Sequence, residues 1–135
     1  MIQDMLVPIS DLKSSLELFD QEVEIYPIWL CPFKLPHNPG MLSPSTGKEE
    51  MYVDVGVYGV PKTEGFDTEK TTRNIEQFVR SVSGFQMMYA DSYMSRDEFR
   101  EMFGHSLYDR FRTRLGCDGN FPQVYDKVNK KSRTG

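Results

Sequence analysis

Hydrophobic and polar positions alternate between two periods along this chain, and the changes of period mark its elements. Asp4 to Ile9 reads as a short strand, with Ser10 as the N-cap of a helix. Leu12, Leu16 and Phe19 follow at i, i+4 and i+7, one stripe of that helix. Val23 to Cys31 is rich in β-branched and aromatic residues and reads as a second strand. Pro32 to Glu50 then holds four prolines, two glycines and several Ser and Thr, the composition of a long loop.

Met51 to Tyr58 is the cleanest strand. Met51, Val53, Val55 and Val57 take one face; Tyr52, Asp54, Gly56 and Tyr58 take the other. Asp67 or Thr68 caps a helix with the apolar stripe Ile75, Phe78, Val79 and Val82, which Gly84 stops. Phe85 to Tyr93 reads as a fourth strand. Ser95 and Glu98 form a capping box ahead of Phe99, Met102 and Phe103, and Leu107, Phe111 and Leu115 continue the helical period to Gly116. Pro122 suits the first turn of a last short helix carrying Val124 and Val128.

Up to Tyr93 the order is strand, helix, strand, strand, helix, strand. That is the split βαβ, ferredoxin-like order, here with a helical tail. The expected fold class is α+β, an antiparallel sheet with helices on one face, in one domain over residues 1–135. The valine face of Met51 to Tyr58 is expected to meet the helices. Its other face, with Tyr52, Asp54 and Tyr58, is too polar for a second core and too aromatic for plain solvent. Such a face either docks on a domain, cofactor or ligand, or is a solvated antiparallel surface.

Composition narrows the function classes. A net charge of −4 and a pI near 5.2 rank nucleic-acid binding low. Mean hydropathy is −0.52, and the longest strongly apolar stretch, Ile25 to Phe33, is too short to span a bilayer. The N-terminus has no signal-peptide pattern, so this piece itself reads as soluble. The basic residues Lys127, Lys130, Lys131 and Arg133 read as a helix end complementing its dipole. Cys31 and Cys117, with His37 and His105, are too scattered to build a metal site. No Gly-rich dinucleotide fingerprint, P-loop, nucleophile elbow or zinc-protease motif occurs, so a dinucleotide site made by this chain alone is not expected. In Phe85 to Tyr93, Tyr89, Asp91 and Tyr93 alternate and are expected on one strand face. A carboxylate between two phenols is either an acid–base group tuned by their hydroxyls or a buried hydrogen-bond pair that fixes the sheet.

Several segments resemble the Δ24-sterol reductase family. They are Glu24-Ile-Tyr-Pro-Ile-Trp-Leu-Cys-Pro-Phe33, Met51-Tyr-Val-Asp-Val-Gly-Val-Tyr-Gly59, Phe78-Val-Arg-Ser-Val-Ser-Gly-Phe-Gln-Met87, and Leu115-Gly-Cys117 through Phe121-Pro-Gln-Val-Tyr-Asp-Lys127. The likeness runs nearly end to end and in order. It departs in the Pro-rich loop, at Ser83 and in the tail Lys131 to Gly135.

The resemblance implies an FAD-linked oxidase architecture of the vanillyl-alcohol oxidase type. In it an N-terminal domain binds FAD, and this chain matches the C-terminal domain that covers the flavin and shapes the substrate pocket. It implies a partner FAD-binding domain, NADPH as electron donor, and a sterol substrate whose side-chain double bond is saturated. It also implies an endoplasmic-reticulum parent, anchored through an N-terminal segment, with this domain on the cytosolic side. Tyr89-Ala-Asp-Ser-Tyr93 resembles the family's Tyr-Ala-Asp-x-Tyr stretch. Tyr89 and Asp91 are the candidate catalytic groups, Tyr93 and Tyr58 the candidate flavin-facing ones, and Trp29 and Asp54 the candidate substrate-facing ones. The competing expectation is a non-catalytic module that binds a protein or a sterol through the polar-aromatic sheet face.

Overall fold

In the computed structural model, which describes residues 1–42, 44 and 46–133, four strands form one sheet in the order β2-β3-β1-β4. Every neighbouring pair is antiparallel. The fold class is α+β, as the hydrophobic pattern implied.

β1 (Ile2–Pro8) and β3 (Glu50–Tyr58) make the sheet's centre and pair along their whole length, Ile2 opposite Tyr58 and Pro8 opposite Tyr52. The face carrying Met5, Val7, Val53, Val55 and Val57 is fully or almost fully buried. Helix α1 (Leu12–Glu22) supplies Phe19 to the same core, and α2 (Thr68–Ser81) supplies Ile75 and Val79. Burying each of these side chains contributes on the order of 1.5–3 kcal/mol.

Several boundaries move. α1 starts from Asp11 after a 3-10 turn, Ile9–Asp11, and Ser10 does not cap it; its hydroxyl donates to Asp11 Oδ2 at 2.8 Å. The second strand is not Val23 to Cys31. Val23 and Ile25 are core residues of a bend in which Glu24 has φ 47°, and β2 runs from Trp29 to Leu35. Pro32 lies inside β2, opposite Val53, because β2 is an edge strand and an edge tolerates a residue without an N–H. The loop therefore covers 36–49, of which Ser43 and Ser45 lie outside the described residues.

The fourth strand is cut even shorter: β4 is only Phe85–Gln86. Residues 87–94 leave the sheet, and Ser92 instead bridges to Asn129 in parallel. α3 (Arg96–Met102) opens on the expected capping box, with Ser95 and Glu98 side chains each accepting the other's backbone N–H. α4 (Ser106–Arg114) is a separate helix, because Gly104 breaks the run to donate to Met41 O at 2.7 Å. Its stripe Leu107, Phe111 and Leu115 is exposed rather than core.

α5 (Val124–Val128) begins after Gln123, so Pro122 lies just outside it. The basic tail does more than complement a helix dipole. Lys130 and Arg133 pair with Asp91, and Lys131 pairs with Glu69 at the start of α2. Thr134 and Gly135 lie outside the described residues.

Candidate functional site

The sheet face opposite the valines is divided into two ends. At one end Tyr52 is fully buried, contrary to the expectation that this face is too polar for a second core. Its ring packs 6.1 Å from Phe33 and 5.9 Å from Phe85, and its hydroxyl donates to Ser83 O at 2.9 Å. Aromatic contacts and a satisfied hydroxyl make this end a second, smaller core. At the other end Ile2, Trp29 and Tyr58 are each about half exposed, and no element among the described residues covers them.

Two carboxyl groups lie at this open end. Asp4 stands opposite Gly56, and Asp54 is its diagonal neighbour on β3. Asp4 is wholly buried, although it points away from the main core. It fits because Gly56 has no side chain: a Cβ there would overlap Asp4 Oδ1 and lie 2.9 Å from the Tyr58 ring. Tyr58 donates its hydroxyl to Asp4 Oδ1. Asp4 Oδ2 and Asp54 Oδ1 are buried with no other hydrogen-bond partner. Two facing acids with one unpaired oxygen each are satisfied when a single proton lies between them.

The electrostatics agree with that arrangement. Burial first, then the charge and hydrogen bond of Asp4, push Asp54 up to about 6. Burial and the same Asp4 carboxylate push Tyr58 up to about 12. Among the described residues, no Lys or Arg forms an ion pair with either acid. The site is thus a half-buried acid that keeps its proton up to about pH 6, beside exposed aromatic rings.

Tyr89, Asp91 and Tyr93 do not share a strand face, because the chain leaves the sheet at Gln86. They line a cavity of about 430 Å³ with Met1, Ile2, Gln3, Thr68 and Thr72. Tyr89 does not touch Asp91 by any hydrogen bond; its hydroxyl lies 3.3 Å from that of Tyr58. Asp91 gives one carboxyl oxygen to Lys130 at 2.9 Å and the other to Arg133 at 3.1 Å. Tyr93 donates its backbone N–H to the buried Glu76 at 2.8 Å, which also accepts from Ser92 Oγ at 2.9 Å. Asp91 and Tyr93 are therefore anchored into structural contacts, while Tyr89 joins the cavity to the acid pair.

Of the residues singled out from sequence, Asp54, Tyr58 and Tyr89 come together, and Trp29 stands opposite Gly56 on the same face. Asp4 was missed. Its signal was a charged residue in a strand whose other positions are mostly apolar, but only the register shows that it faces Asp54. Among the described residues no cluster of His, Cys, Asp or Glu has the makings of a metal site.

No protein-family model matches the chain, and no solved structure does. Curated proteins do match. The Delta(24)-sterol reductase of Homo sapiens is 51% identical over 132 residues, 98% of this chain. The chain belongs to the Δ24-sterol reductase family. The Caenorhabditis elegans Delta(24)-sterol reductase homolog is 52% identical over 132 residues. The Arabidopsis thaliana enzyme is 38% identical, again over 98% of this chain. The chain spans about a quarter of the length of these relatives, 26% of the human one.

The open end of the sheet suits the flat, partly apolar ring of a flavin or the tail of a sterol, since it offers exposed aromatic faces and an acid. It offers no glycine-rich loop to cradle a dinucleotide's phosphates.

Proposed function

We propose that this chain is the substrate-side part of an FAD-dependent, NADPH-using Δ24-sterol reductase, and that the open end of its sheet faces the reacting centre. The observation that carries the reading is the match along 98% of the chain to Delta(24)-sterol reductases. The flavin supplies a hydride to the side-chain double bond. This chain's part is to present the aromatic faces of Trp29, Tyr58 and Tyr89, to close the pocket against water, and to hold a proton beside it. In this reading FAD is bound mainly by a domain other than this one, the parent lies at the endoplasmic-reticulum membrane, and this domain is on the cytosolic side. No helix among the described residues is long and apolar enough to cross a membrane. The isolated chain is expected to bind no stoichiometric flavin and to reduce no sterol.

The test is a chimera in which this chain replaces the matching quarter of the Homo sapiens relative. With NADPH it should bind FAD and saturate a Δ24-sterol. A folded, flavin-loaded chimera with no reduction would overturn the reading and leave the alternative of a non-catalytic binding module, which the uncovered aromatic face also suits.

A further inference from the structure

An isolated side-chain alkene has no carbonyl to polarise it. Adding a hydride at one carbon requires a proton at the other, from an acid near the surface that exchanges its proton close to working pH. The described acids near the open face differ sharply in this respect. Asp4 is wholly buried and cannot reach a bound molecule. Asp91 has both oxygens taken by Lys130 and Arg133. Glu76 is wholly buried and already accepts two hydrogen bonds. Asp54 is half-buried on the open face: its Oδ1 is buried beside the neighbouring acid with no other partner, and the rest of the carboxyl is the part left toward the surface.

We propose that Asp54 is the proton donor of the alkene reduction and that Asp4 is the positioning residue that keeps the proton on it. This rests on the reductase reading above. In the step, the C=C π bond breaks and the hydride supplied by reduced flavin forms a C–H bond at one carbon. That transfer oxidises the flavin by two electrons and reduces the alkene by two. The Asp54 O–H bond breaks, and its proton forms a C–H bond at the other carbon. Asp54 is left as carboxylate and takes a proton back from water.

As Asp54 gives its proton to one carbon, cationic character builds on the other carbon, which awaits the hydride, and it is met by the faces of Trp29 and Tyr58. The groups facing Asp54 are Asp4 from β1, Cys31 opposite it on β2, and Tyr58 on its own strand, with Tyr89 reaching Tyr58 from the segment after β4. None is a cation, so nothing at the site draws the proton away.

Two measurements test this. In the 135-residue chain, carbon-detected NMR of the aspartate carboxyls should show Asp54 titrating near 6, and Asp4→Asn should move it to lower pH. In the chimera, Asp54→Asn should cut sterol reduction by about 10²–10⁴-fold, the usual contribution of a general acid, with flavin content and sterol binding kept. Asp4→Asn should shift the alkaline limb of the pH profile to lower pH and so lower turnover at neutral pH, with flavin content kept. An active chimera whose Asp54→Asn variant works at the parent rate overturns the donor role alone. An inactive parent chimera overturns the reductase reading and the donor role with it. An Asp54 that titrates in the ordinary carboxylate range removes the role assigned to Asp4.

Discussion

Glu98 on α3 and Asp54 on β3 are both half-buried carboxyls, and their surroundings are opposite. Glu98 accepts from Arg73 at 2.5 and 2.8 Å, from Arg80 at 2.8 Å and from the Ser95 N–H at 2.7 Å. The Arg73 hydrogen bonds foremost hold it down at about 2. Asp54 meets another acid and no cation, and is pushed up to about 6. A fully satisfied carboxylate fixes α3 against α2 and has no chemistry left to offer. A frustrated one weakens the fold and keeps a transferable proton. Stabilisation and reactivity thus fall on different carboxyls of one small domain.

The contrast breaks most visibly at Glu98. Glu98→Ala removes the capping-box acceptor and leaves Arg80, whose side chain is only 11% exposed and whose Nη1 already lacks a partner, with Glu101 alone at 3.4 Å. Loss of the cap and of a part-buried ion pair should cost about 3 kcal/mol at pH 7. The sign in pH follows from the depressed value. Glu98 contributes its stability above its ordinary 4.5 and loses it as pH falls through about 2. Urea unfolding of both proteins should therefore differ at pH 7 and converge toward pH 2. A cost under about 1 kcal/mol at pH 7 would mean that the cluster around Glu98 does not hold α3.

Gly56→Ala should cost about 2 kcal/mol, in the range of an overpacked site, because its Cβ enters the space of the Asp4 carboxylate and the Tyr58 ring. The same substitution should uncouple Tyr58 from Asp4, so the phenol should titrate at lower pH in an ultraviolet titration. An unchanged Tyr58 titration would show that the carboxylate does not lie over Gly56.

Asp54→Asn should act in the opposite direction to Glu98→Ala. A carboxyl with a raised value stabilises the native state below its unfolded 3.8, and that contribution is lost as pH rises through about 6. At pH 7 the native state carries an ill-placed charge. Asparagine removes the charge and can donate to the free Asp4 oxygen. The variant should be more stable by about 1–2 kcal/mol at pH 7, discounted for partial exposure, and the gain should vanish below pH 4. A variant no more stable than the parent at pH 7 would place an unseen counter-charge at the site.

Much of this was legible in the sequence, and the parts that were not share a cause. The valine alternation of β3, the stripe of α2 and the Ser95–Glu98 box depend on neighbours within a few residues, and all three hold. The failures depend on partners far along the chain. Phe85 to Tyr93 alternates like a strand, but only Phe85 and Gln86 pair in register with β1, and Met87 adds one last hydrogen bond to Asp4 O; Gln3 then takes Asp91 O with its side-chain amide at 2.8 Å, and Asn129 takes Ser92. Pro32 looked like a loop residue until the sheet order made β2 an edge. Asp54 was legible as a candidate, whereas Asp4, its partner, is 50 residues away and visible only through the β1–β3 register.

The smallest expected effect concerns Gly84, which reads in sequence as the residue that ends α2. The helix ends one residue earlier. Val82 is the C-cap, and Ser83 adopts φ 56° while its N–H donates to Arg80 O at 3.1 Å. The Gly84 N–H closes on Val79 O at 2.8 Å, which completes a Schellman pair of hydrogen bonds. The left-handed residue is therefore a serine, at a cost of roughly 1 kcal/mol. Gly84 is needed for room instead: a Cβ there would lie 2.5 Å from Leu6 O on β1. Ser83 is exposed, and the group that Tyr52 uses is its backbone carbonyl, which any residue provides. Ser83→Gly should keep both hydrogen bonds of the cap and relieve the backbone. Glycine's greater freedom in the unfolded chain offsets part of the gain, leaving about 0.5 kcal/mol of stabilisation. Gly84→Ala should instead destabilise, since the strand backbone cannot give way. Thermal melts of the two variants should move in opposite directions; a melt lowered by Ser83→Gly would show that the serine side chain supports the cap after all.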